Sequence, residues 1–148
     1  MSLIRNQKAT YNYEILEKFE AGIELSGIEV KTIRNSHGSL EGSYVKFKGT
    51  EAYLVGGDFP PYQPGNTPLT YDRNRARKLL LSKKELLNLK QKTEKEGLTL
   101  IPLSLYNKGR KIKAEIALAR GKKSRDKRET IKRREDSREM HRVIKRER

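Results

Sequence analysis

The chain has 148 residues, 34% of them apolar and 36% charged, with a formal net charge of +15 and a pI near 10.1. That length supports one domain with a modest core, and the charge surplus selects polyanions, nucleic acid above all, as partners. With no cysteine there is no disulfide framework or thiolate metal site, and no segment reads as a signal peptide or membrane span, which suits a cytoplasmic protein without a membrane partner.

In chain order, Thr10 to Phe19 alternates loosely through Tyr11, Tyr13 and Ile15 and reads as a strand. Ser26 to Asn35 reads as a short helix, with Gly38 in the loop beyond it. From Ser43 to Gly49, Tyr44 faces one way and Val45 and Phe47 the other. Ala52 to Val55 follows after Gly49-Thr50-Glu51, the pattern of a hairpin. Gly56 to Arg77 holds four of the five prolines and reads as a long loop. Ser82 and Glu85 form a capping box, Leu86, Leu87 and Leu89 give the helix an apolar side, and Gly97 stops it. Leu98 to Tyr106 is a further strand, joined through Asn107-Lys108-Gly109 to the most regular alternation in the chain. There Ile112, Ala114, Ile116 and Leu118 interleave with Lys113, Glu115, Ala117 and Ala119. Five or more short strands with an inserted helix predict a mainly β fold, an OB-like closed β-barrel over residues 1–121. A split sheet packed on two helices is the alternative.

Residues 122–148 form a basic C-terminal tail. From position 120 onward there are 14 Lys and Arg against six Asp and Glu, and the apolar content is almost confined to Ile131, Met140, Val143 and Ile144. Such a segment cannot bury enough surface to offset the entropy of ordering it. It is rich in helix formers, and Glu129 and Arg133 make a favourable i,i+4 pair. The expectation is an arm that is disordered when free and helical once a polyanion neutralises it.

Catalytic chemistry has little to work with. His37 and His141 lie far apart, without the helical spacing or clustering of a metal site. No phosphate-cradling G-x-x-x-x-G-K-[ST] loop is present, and no residue pattern couples a nucleophile to a base. The sequence therefore predicts no enzyme, no metal and no cofactor. Basic clusters with interleaved aromatics carry the signal instead. Arg73, Arg75, Arg77 and Lys78 lead into Leu79-Leu80-Leu81, while Lys122, Lys123, Arg125, Lys127 and Arg128 open the tail. Tyr11, Tyr13, Tyr53, Tyr62, Tyr71 and Tyr106 could stack on bases. A general RNA-binding or ribosomal OB protein, with the tail as a plain electrostatic anchor, is the competing reading, and an RNA hydrolase a third.

The order Asn6-x-x-Ala9, Phe19-Glu20-Ala21-Gly22, Gly27-x-Glu29-Val30-Lys31, Arg75-x-Arg77-Lys78-Leu79-Leu80-Leu81, Glu96-Gly97 and Gly121-Lys122-Lys123 through Asp126-Lys127-Arg128 resembles the small protein B family, the tmRNA-binding proteins of bacterial trans-translation. The likeness runs from about residue 6 to 135. It implies an OB-like barrel, monomeric, that binds the tRNA-like domain of tmRNA and stands in for a missing anticodon arm. It also implies a tail that folds as a helix in the decoding centre, against 16S rRNA, and in the empty mRNA channel of ribosomes stalled on truncated messages. There the tmRNA accepts the nascent chain and encodes a degradation tag.

Carried over by position, the resemblance places Asn6, Glu20 and a leucine of the run ending at Leu81 at tmRNA-binding sites. Together with Tyr11, Lys31, Arg73, Arg75, Arg77 and Lys78 these form the expected RNA-binding set. Asp126-Lys127-Arg128 followed by Ile131-Lys132-x-x-Glu135 matches the segment the family needs for tagging, so Lys122, Lys123, Arg125, Asp126, Lys127, Arg128, Ile131 and Lys132 form the expected ribosomal set. Two positions depart from the family pattern. Arg125 stands where members often carry an aromatic or His, and Tyr11 where others have His; a guanidinium plane can also stack.

Overall fold

The regular alternation from Ile112 to Ala119 becomes β7 (Lys111–Gly121), the longest strand together with β2 (Tyr13–Ile23). β7 lies between β6 (Thr99–Lys108) and β2, antiparallel to both. Its even-numbered side chains Ile112, Ala114, Ile116 and Leu118 point into the core, as period two demands. The computed structural model describes residues 2–122. Among these, seven strands form one antiparallel sheet in the order β1-β6-β7-β2-β5-β4-β3, where β1 is Ser2–Arg5, β3 Tyr44–Lys48, β4 Glu51–Val55 and β5 Arg77–Leu80. Both expected hairpins form, β3–β4 and β6–β7, in register from Lys48↔Glu51 and Lys108↔Lys111 outward.

The sheet does not close, contrary to the barrel expectation. It curls until β3 lies against β6, but β6 has both of its edges occupied, by β7 and by β1. β1, which alternation did not flag, takes the edge that a closing β3 would need. The ladder therefore ends at β1 and β3.

Three helices complete the described part. α2 (Gly27–Arg34) starts at Ser26, whose Oγ accepts the Glu29 amide while the Glu29 carboxylate accepts the Ser26 amide, a reciprocal capping box. α3 (Lys83–Glu96) is capped by Ser82 and ended by Gly97 in the left-handed conformation, φ +63°. Its apolar side is narrower than expected, with Leu89 buried, Leu86 half-buried and Leu87 exposed. α1 (Ala9–Asn12) occupies the start of the segment read as strand, so Tyr11 is helical and β2 begins only at Tyr13.

The main core lies inside the curl. Ala21, Leu54, Leu79, Leu105 and Ile116 meet Ile33 of α2, Leu89 of α3 and the loop residues Leu40 and Phe59 there. Burying side chains such as Ile33 and Leu89 contributes about 1.5–3 kcal/mol each. A second, smaller cluster sits on the outer face, where Ala9 of α1 covers Ile101, Ala117 and Ala119, with Ile15 and Leu103 at its margin. No helix among the described residues is long and apolar enough to cross a membrane.

Candidate nucleic-acid interface

Strand alternation sends the partners of the core residues outward. Across the open end of the sheet, Arg5, Ser104, Glu115 and Glu20 form one row, and Ser2, Tyr106 and Lys113 a neighbouring row, on the face opposite Leu105 and Ala114. Asn6 stands at the end of β1. Its amide nitrogen bonds the Leu103 carbonyl at 2.8 Å, and its side-chain Nδ2 donates to the Pro102 carbonyl at 2.9 Å. These bonds turn the chain from β1 into α1 and leave Asn6 on the rim of an outer groove of about 740 Å³, with Tyr106, Glu115 and Arg5.

Glu20 is bound from two sides. The Tyr106 hydroxyl donates to Oε2 and Lys108 Nζ to Oε1 at 2.9 Å. The Tyr106 bond first, and the Lys108 bond with it, hold the Glu20 carboxyl below the usual carboxylate range. The Tyr106 hydroxyl is correspondingly raised, by its own burial and by Glu20. Each Glu20 oxygen already accepts a protein hydrogen bond, so this carboxylate orients a tyrosine and a lysine.

The basic cluster before the leucine run has a different environment. Arg73 makes a fork to Asp58, Nε to Oδ1 at 2.6 Å and Nη2 to Oδ2 at 2.9 Å. Arg75 Nη2 donates to Glu29 Oε1 at 2.6 Å, and Lys78 Nζ lies 3.0 Å from Glu51. Arg77 is fully buried: Nε donates to Glu29 Oε2, Nη1 to the Gly57 carbonyl and Nη2 to the Arg73 carbonyl, with the guanidinium 4.5 Å from the centre of the Phe59 ring. Burial raises the Glu29 carboxyl, yet the Ser26 amide and the two arginines outweigh it and leave it lowered. The expectation that Arg77 meets RNA is therefore corrected, because its guanidinium is enclosed and its donors are spent on the protein. The alternation of Arg73, Arg75, Arg77 and Lys78 placed four cations beside three carboxylates that lie distant in sequence, which spacing alone could not reveal.

The same arginine explains the proline-rich segment. Gly56 to Arg77 contains a single 3₁₀ turn, Pro64–Asn66, but is pinned at several points. Phe59 N donates to the Arg73 carbonyl at 2.9 Å, Tyr71 hydroxyl to the Phe59 carbonyl at 2.7 Å, and Thr32 hydroxyl to the Pro60 carbonyl at 2.9 Å.

The remaining predicted residues are spread over the surface. Tyr11 is half-buried on α1 and Lys31 is exposed on α2. Leu81, half-buried just past β5, borders a shallow depression with Lys78, Leu80 and Leu86. The structure thus brings Asn6 and Glu20 to one face of the sheet and gathers Arg73, Arg75 and Arg77 around Glu29 and Asp58. Lys108, Glu115 and Arg5 escaped the sequence reading; their place beside Tyr106 on the outward rows was the available signal. Lys122 is stitched to α1, its N–H to the Asn12 carbonyl at 2.9 Å and its Nζ to the Thr10 carbonyl at 2.6 Å. Lys122, the last described residue, therefore sits beside Thr10 on the groove rim. Lys123, Arg125, Asp126, Lys127, Arg128, Ile131 and Lys132 lie outside the described residues.

A family model described as SmpB protein matches residues 3–146. Among curated relatives, the chain is 48% identical to an SsrA-binding protein of Malacoplasma penetrans, over 96% of this chain and 97% of that one. It is 49% identical to an SsrA-binding protein of Coxiella burnetii, over 95% and 88% respectively. Among solved structures it matches a chain from "tmRNA-SmpB: a journey to the center of the bacterial ribosome", with TM-score 0.68, 43% identity, and coverage of 82% of this chain and 85% of that one.

Proposed function

This chain belongs to the SmpB protein family, and from that premise we propose that it binds the tRNA-like domain of tmRNA and carries it to ribosomes stalled on truncated messages. Its partners are tmRNA and the ribosome, and it acts by binding, without a reaction of its own. The observation that carries this reading is the family match, which runs through the folded part and on through the tail to residue 146.

Two units divide the work. Residues 1–121 hold tmRNA through the outer face that displays Asn6, Glu20 and Tyr106, with Tyr11, Lys31, Lys78 and Leu81 as flanking contacts. Arg73 and Arg75 shape the adjoining loop, and Arg77 supports it from inside. In this reading the tail past Lys122, which α1 holds, stays disordered in the free protein. It folds as a helix in the decoding centre and the vacant mRNA channel, where Lys122, Lys123, Lys127, Arg128 and Lys132 meet phosphates. Arg125 stacks on a base, Asp126 orients its basic neighbours, and Ile131 fixes the register. Because the channel is open only when message is missing, the tail discriminates stalled ribosomes from translating ones.

RNA recovered with the full chain from a bacterial lysate tests the partner. One dominant tmRNA species is the expected result. A broad spread of ribosomal RNA without tmRNA would instead support a general RNA-binding protein.

A further inference from the structure

The groove at the end of β1 gathers several polar groups from three elements. Its rim carries Arg5, Asn6, Gln7, Thr10, Tyr106 and Glu115. Among the described residues, Arg5 and Glu115 have no ion-pair partner, and the Oδ1 of Asn6 has no protein donor, although its Nδ2 is held by Pro102. Tyr106 is the reverse case. Its hydroxyl is tied to Glu20, which with Lys108 keeps the ring in one orientation at the groove wall.

An aromatic ring fixed at its polar end, two acceptors beside it and an arginine at the lip match the requirements for holding an unstacked nucleobase. We propose that this groove takes a single extruded base of the bound RNA. The base stacks on Tyr106, its Watson–Crick edge donates to Glu115 and Asn6 Oδ1, and its phosphate meets Arg5. A carboxylate accepts but cannot donate at neutral pH. The pocket therefore favours guanine, whose N1–H and N2–H form a paired donor edge, and disfavours uracil, which offers one donor between two acceptors. Glu20 is a positioning residue in this scheme. It acts through Tyr106 and Lys108 rather than on RNA. The inference rests on the tmRNA reading above and names the nucleotide class that the same face recognises.

The test titrates the full chain with a transcript of the tRNA-like domain and with a series carrying one abasic nucleotide at each unpaired position in turn. One position should weaken binding roughly tenfold in the native protein, the scale of one stacked base, and cost at most about twofold in Tyr106→Ala. Replacing that guanine by uracil should cost affinity in the native protein and much less in Glu115→Gln, an isosteric change that keeps the test available if Tyr106→Ala unfolds. Glu20→Gln should reduce the penalty at that same position and no other, which a general loss of fold would not do. A flat abasic profile, or a sensitive position whose penalty is unchanged in both Tyr106→Ala and Glu115→Gln, overturns the pocket. Failure of the unmodified transcript to bind would overturn the tmRNA reading itself.

Discussion

Glu29 on α2 and Arg77 on β5 form an ion pair in which both side chains are enclosed, 1% and 0% exposed. The carboxylate also closes the N-terminus of α2, and the guanidinium also holds the Gly57 and Arg73 carbonyls. One pair thus joins a helix, a strand and the long proline-rich segment. Removing Arg77 leaves Glu29 Oε2 enclosed without its donor, since Arg75 and the Ser26 amide hold only Oε1. Arg77→Met should destabilise the protein by about 3–5 kcal/mol, read as a lowered urea midpoint. Arg77→Lys should rescue little, because an ammonium cannot reproduce three bonds directed from a planar fork. A midpoint within error of the native one would show that the pair carries no such load.

The same carboxylate sets an acid response. The folded-state pKa of Glu29 lies below its ordinary value of 4.5, so its stabilising contribution is complete above that value and is lost as pH falls through the folded one. Stability followed by urea unfolding should decline below about pH 4.5. Glu29→Gln should start less stable and decline less over that window. Parallel declines in the two proteins would assign the acid response to other carboxylates.

Gly38 packs its bare Cα against the loop that Arg77 organises. A Cβ there would stand 2.6 Å from Phe59 Cδ1 and 2.8 Å from the Asp58 carbonyl oxygen, at φ +119°. Gly38→Ala should cost about 1–3 kcal/mol from overpacking and a similar amount from backbone strain. Hydrogen exchange should show the cost as faster opening at Asp58 and Phe59. Native exchange rates at both amides would contradict it.

Much of the architecture was legible because its signals are local. Ser26 and Ser82 mark helix starts through bonds to residues three positions on, Gly97 marks a helix end by its left-handed φ, and the Ile112–Leu118 alternation fixes which side of β7 faces the main core. What escaped depends on distant partners. β5 is four residues long and is a strand because β2 and β4 flank it. Tyr11 carries a strand-forming side chain, yet the turn at Asn6 makes a helix of Ala9–Asn12. Arg77 looked like a surface cation because its carboxylate stands 48 positions earlier. Asn6 and Glu20 were legible only through family resemblance, and the structure adds what lies between them, the Tyr106 ring.

Lys108 and Glu20 separate electrostatics from orientation on that face. Lys108→Met should lower the slope of log affinity against log salt by about 0.7–0.9, one phosphate contact. Glu20→Ala should weaken tmRNA binding roughly tenfold by freeing Tyr106, with the urea midpoint unchanged because Glu20 is an exposed side chain. An unchanged salt slope in Lys108→Met would remove Lys108 from the interface, and an unchanged affinity in Glu20→Ala would remove the orienting role.

The central claim is a division of labour between the folded face and the tail. It is tested most directly by replacing Asp126, Lys127 and Arg128 with alanine in the full chain. Affinity for the tRNA-like domain and tagging on ribosomes stalled at the end of a truncated message are then measured on the same preparation. The account predicts affinity within about twofold of native, since the net change is one positive charge on a segment that does not hold the tRNA-like domain, together with loss of tagging. An equal fall in both activities, or full tagging by the variant, would contradict it.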